Sequence, residues 1–284
     1  MQDLLFITQI KTVTLHQKIF KFLNTYLFKP SLLAGVSCFL MSCSSSQDSK
    51  NKSIDPQNYE YMSEQDYADH LSLLKSSFLK QPEINIIAQS PQMRRYFEKT
   101  SREVLERNEI FFRKLENAKI TLLNLEIPLH FSLPGGEIFL SKGLMTKYVK
   151  HESVLVSILS FELIKSEKNL YPKESYIPTG VFSLERIVQM NRLPLEDKME
   201  IHKWAYYMTT RTGYDGEYYL SWLQILNRNT ADFVFLVGDI NLIPREESLF
   251  KAFLIQNANE ETVISKKGSS REFYRVINKL REMK

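Results

Sequence analysis

Glu152-Ser-Val-Leu-Val-Ser-Ile-Leu-Ser-Phe-Glu-Leu-Ile-Lys165 is the stretch on which the fold turns. Val154, Leu155, Val156, Ile158, Leu159, Phe161, Leu163 and Ile164 make it apolar almost all round. A helix of that kind is buried at the middle of a domain rather than laid on its surface. Upstream, Ile120 to Ile127 and Glu137 to Leu140 are short β-prone runs, and Leu133-Pro134-Gly135-Gly136 between them marks a turn, so a hairpin is expected. Further upstream, Ser63 is placed to cap a helix with Leu71, Leu73, Leu74 and Phe78 on one side. Ser90-Pro91 opens a second helix, with Met93, Tyr96, Phe97, Val104 and Leu105 at helical spacing. Downstream, helices are expected from 183 to 212 with a break near Pro194, from 216 to 227 after the turn Gly213-Tyr214-Asp215, and from 269 to 284, where Phe273, Val276, Ile277 and Leu280 share a face. There is no internal repeat. The fold class is therefore α+β, mainly helical, with a small β-hairpin or sheet and a central buried helix.

The 284 residues are 43% hydrophobic and 25% charged, a globular composition with enough apolar material for a sizeable core. Of the formal charge of +4, three units come from Lys11, Lys18, Lys21 and Lys29 set against Asp3 at the N-terminus, which leaves the rest nearly neutral. A body at that charge without a basic stripe along it argues against nucleic acid as a partner. The only cysteines, Cys38 and Cys43, lie in one apolar stretch, so neither a disulfide framework nor a cysteine zinc cluster holds the fold.

Ser31 to Met41 is an apolar run of the length of a signal-peptide core, too short to span a bilayer comfortably. Its end, Leu40-Met41-Ser42-Cys43, resembles the lipobox of bacterial lipoproteins, and Cys38 fits that pattern less well because Gly35 stands where leucine belongs. The resemblance implies a signal peptide over 1–42, lipidation at Cys43 and, with Ser44 next, an outer-membrane lipoprotein facing the periplasm of a bacterial cell envelope. The partner at that end is the membrane, reached through an acyl chain. Residues 43–60 are rich in Ser, Asn, Asp and Lys and read as a flexible tether, leaving 61–284 as the folded domain.

Phe131-Ser-Leu-Pro-Gly-Gly-Glu-Ile-Phe-Leu-Ser-Lys-Gly-Leu144 followed by the 152–165 helix resembles the zinc metallopeptidase family of CAAX prenyl proteases and HtpX heat-shock proteases. In that family a strand and an LPGG turn precede a GLL segment. A helix of the form E-x-x-L-x-x-V-L-A-H-E-x-x-H follows, and later E-x-x-A-D and G-Y-D. Glu152, Leu155, Ile158, Leu159 and Glu162 match the helix and Gly213-Tyr214-Asp215 the later turn, so the likeness runs from about residue 90 to 249. It implies a gluzincin-like metallopeptidase fold.

The same alignment implies a lost metal site. Zinc of this class needs two neutral imidazoles one turn apart, a carboxylate from another helix, and a glutamate beside the first histidine to activate water. Glu162 keeps the place of that glutamate. The histidine positions hold Phe161, which has no lone pair, and Lys165, whose ammonium repels a cation, and the third-ligand position falls on Lys198. The expectation is a pseudopeptidase without a cofactor that binds a protein or peptide partner in the envelope. The alternative is an active metalloendopeptidase with a rearranged site in which Glu162, His202 and either His130 or His151 meet in space. Three further readings accompany these. Glu162 is a relic paired with Lys165 or His202. Histidines 16, 70, 130, 151 and 202 are surface or core residues rather than ligands. Tyr206, Tyr207, Tyr214, Tyr218, Tyr219 and Trp222 are core, or else line a groove.

Overall fold

The computed structural model describes residues 63–171, 183–257 and 266–283; Cys43, the signal segment and the tether lie outside them. Helix α1 spans Glu64–Leu79 and starts where the Ser63 hydroxyl accepts the N–H of Asp66. Helix α2 spans Pro91–Arg107, with Ser90 as its cap and the proline in the first turn, where its missing N–H costs nothing. Three strands follow, β1 (Lys119–Leu123), β2 (His130–Leu133) and β3 (Glu137–Ser141), then α3 (Glu152–Glu167). The remaining elements are α4 (Leu184–Gln189), α5 (Leu195–Arg211), α6 (Glu217–Arg228), α7 (Thr230–Val237), α8 (Leu242–Gln256) and α9 (Arg271–Glu282). The protein is mainly helical with one small sheet. Among the described residues no helix is long and apolar enough to cross a membrane.

The hairpin differs from its sequence reading. The Pro-Gly-Gly turn joins β2 to β3, with Phe131 opposite Phe139, whereas 119–123 forms the far strand of the order β1-β3-β2 and runs parallel to β3. The segment after Leu123 crosses over, leaving Ile127 in a loop and 42% exposed, and enters β2. Leu73, expected on the buried side of α1, is 71% exposed.

Strand alternation splits the core in two. Ile120, Leu122, Ile138 and Leu140 point toward α3, while Leu123, Phe131, Leu133 and Phe139 pack with Leu71, Leu74 and Phe78 of α1. Phe131 and Phe139 stack with centroids 4.7 Å apart, and Phe78 meets both edge-on. Helix α3 is the centre of the larger core, touched by α2, α5, α6, β2 and β3. All of its residues except Phe161 are buried, as its apolar circumference predicts. Each fully buried Leu, Ile or Val contributes about 1.5–3 kcal/mol.

Polar groups fix both ends of α3. At its start Glu152 accepts hydrogen bonds from the Tyr96 hydroxyl and from the Ser270 hydroxyl and N–H, which ties in the first turn of α9. At its end Glu167 accepts the backbone N–H groups of Arg113, Lys114 and Leu115, and the Ser166 hydroxyl donates to Leu133 O while accepting from Gly136 N. The turn, the sheet and the central helix are therefore hydrogen-bonded to one another.

Candidate functional site

The one-turn spacing along α3 puts Phe161, Glu162 and Lys165 on the side that faces β2, α5 and α8. There they line a cavity of about 60 Å³ with His130 from β2, Lys198 and His202 from α5, and Glu246 from α8. Two carboxylates organise it. Glu162 accepts from His130 Nδ1 at 2.6 Å and lies 3.6 Å from the Lys165 ammonium, which donates to Asn191 Oδ1 at 2.6 Å. Glu246 accepts from Lys198 Nζ at 2.7 Å and has His202 Nε2 at 3.5 Å from its other oxygen. The Tyr219 hydroxyl lies 2.9 Å from His202 Nδ1, and the Glu246 carboxylate facing Nε2 favours the imidazole proton on that nitrogen, which leaves Nδ1 to accept from Tyr219. Between the two groups stands the Phe161 ring, 6.2 Å from the His130 ring and 5.1 Å from that of His202.

Burial raises the cost of charge at each member, and the ion pairs decide the outcome. Burial works against the Glu162 carboxylate, yet Lys165 and the His130 hydrogen bond outweigh it and lower its pKa to about 2. Glu246 is lowered too, because His202 and Lys198 together overcome its burial. Desolvation pulls Lys165 down against the opposing pull of Glu162, and it lowers His202, which favours the neutral ring.

No protein-family model and no curated protein matches this chain.

The donor set does not fit a zinc ion. A phenyl ring occupies the space between the imidazoles, and each carboxylate already faces an ammonium group of the chain, so an entering dication would meet two fixed positive charges. Among the described residues no group of three or more His, Cys, Asp or Glu side chains is arranged to hold a metal. Of the expected site residues, Phe161, Glu162, Lys165 and Lys198 do meet at one cavity, and His130 and His202 join them. His151 does not, since it caps the N-terminus of α3 and stacks on Tyr218. Of the two partners expected for Glu162, Lys165 lies beside it and His130 joins the pair, whereas His202 turns to Glu246. Phe161 is half-buried rather than enclosed, because the cavity lies along one edge of its ring. Glu246 and Asn191 escaped the sequence reading. No local signal marks Glu246, which stands in the charged run Arg245-Glu246-Glu247, of a kind usual on an exposed helix face. Tyr219 and Trp222 belong to the core, and Trp222 also lines the cavity.

Proposed function

We propose that the chain is a lipid-anchored pseudopeptidase of gluzincin-like fold, held by Cys43 at the bacterial outer membrane with its domain facing the periplasm, that binds a peptide or protein partner there as a scaffold factor. The observation that carries this reading is the pairing of Lys165 with Glu162 and of Lys198 with Glu246. In a working zinc site the cation neutralises the carboxylates and polarises water. Here the chain's own ammonium groups do the neutralising, and a carboxylate held near pKa 2 with an ammonium beside it is a poor base toward water at neutral pH. The small volume and the phenyl ring leave little room for a scissile bond, which supports recognition rather than cleavage.

Metal analysis of the purified chain, with casein as an unfolded substrate, tests this. The expected result is no stoichiometric zinc and no cleavage. Phe161→His with Lys165→His should take up zinc weakly at most and remain inactive, since Lys198 still occupies the third position. About one zinc per wild-type chain, or casein cleavage that Glu162→Gln abolishes, would instead establish the metalloendopeptidase reading built on Glu162, His130 and His202.

A further inference from the structure

Helices α2 and α9 diverge around a cleft of about 430 Å³, separate from the cavity described above and within the size range of small-ligand sites. Its floor is formed by Tyr96, Thr100, Tyr214 and Glu152. Arg95 and Lys99 line it from α2, Arg275 and Lys279 from α9, and the four-residue spacing places each pair on one face of its helix. Among the described residues none of the four cations forms an ion pair or a side-chain hydrogen bond, although the body of the protein is nearly neutral and rich in such pairs elsewhere. The acidic residues of the cleft do not supply one. Glu103 is held by Lys267, the Glu152 oxygens are taken by Tyr96 and Ser270, and Glu272 alone stands at the rim. The first turn of α2, which opens at the same cleft, contains no acidic residue, so its dipole adds to the positive potential instead of being cancelled.

We propose that this cleft binds a phosphate-bearing anion. Four like charges facing each other across a cleft repel in the free protein, and an anionic ligand relieves that repulsion. Phosphate does so at neutral pH, and its tetrahedral oxygens suit the planar fork of a guanidinium, of which the cleft has one on each wall. The phosphate belongs either to a soluble phosphoester or to the headgroup of an anionic lipid.

Two arms with the full-length chain separate these sources. Pyrophosphate is titrated in solution by calorimetry, and co-sedimentation is compared between vesicles of equal parts phosphatidylglycerol and phosphatidylcholine and vesicles of phosphatidylcholine alone, with the cleft variants below, which keep the basic N-terminus, separating its contribution from that of the cleft. Binding of pyrophosphate assigns the soluble source, and preference for the phosphatidylglycerol vesicles assigns the headgroup. In either arm Arg95→Glu with Arg275→Glu should weaken binding by about tenfold or more, and added salt should weaken it in the wild type. All four cations are exposed, so the variant should melt like the wild type; if it does not fold, Lys99→Gln with Lys279→Gln replaces it. Wild-type protein that binds neither probe, or a folded variant that binds as well as the wild type, overturns the proposal.

Discussion

Lys165 is a lysine with 2% of its side chain exposed, and it is tolerable there only because Glu162, Asn191 and the Tyr171 ring receive its charge. Removing one member of such a pair strands the other, so Glu162→Gln alone should cost about 3–5 kcal/mol in a urea melt. Glu162→Gln combined with Lys165→Met should cost less than the sum of the single changes, with a coupling of about 1–3 kcal/mol. Additive costs would mean that the pair contributes nothing as a pair. The same residue sets an acid limit. The Glu162 carboxyl titrates at about 2 in the fold against 4.5 ordinarily, so between those values the unfolded chain holds more protons than the native one. Its stabilising contribution is complete above about 4.5 and drains away as pH falls toward 2. Stability measured from pH 6 downward should therefore fall less steeply in Glu162→Gln than in the wild type.

The β2–β3 turn is the element whose conformation the rest depends on, because Gly136 accepts from Lys119 N and donates to Ser166, linking β1 and α3 to the hairpin. Gly135 and Gly136 both have positive φ, at 78° and 76°. A methyl group on Gly135 would meet nothing within 4 Å, whereas one on Gly136 would lie 2.6 Å from Asn117 O. Gly135→Ala should thus pay only the conformational cost of about 1 kcal/mol, and Gly136→Ala should cost at least about 2–3 kcal/mol because backbone must move as well. Thermal melts of the two variants separate these terms, and equal shifts would show that the close approach to Asn117 is relaxed at little cost. Proline and two glycines made this turn legible from the sequence. The parallel partner of β3 was not, because a β-prone run carries the same alternation whichever neighbour it pairs with, and only the crossover through Ile127 decides the direction.

For the whole molecule, the proposed anchoring rests on Cys43, and metabolic labelling with a fatty-acid analogue should tag the wild-type chain and leave Cys43→Ser unlabelled. Label that persists in the variant removes the lipid anchor from the proposal. The linear order of residues by itself determined helices α1 to α6 and α9, though not α7 and α8, together with the caps at Ser63 and Ser90, the burial of 152–165 and the absence of histidines at positions 161 and 165. Each of these depends on neighbours within one or two turns, so short-range chemistry is sufficient to write them. Tertiary structure alone decided which charges meet. His130, Lys198, His202 and Glu246 come from a strand and two helices that are far apart along the chain, and a buried carboxylate selects its partner by distance in a medium of low dielectric constant, where sequence separation has no bearing. That is why Glu162 found His130 rather than His202, and why Glu246, which nothing in its local sequence distinguishes from a surface glutamate, stands at the centre of the cluster.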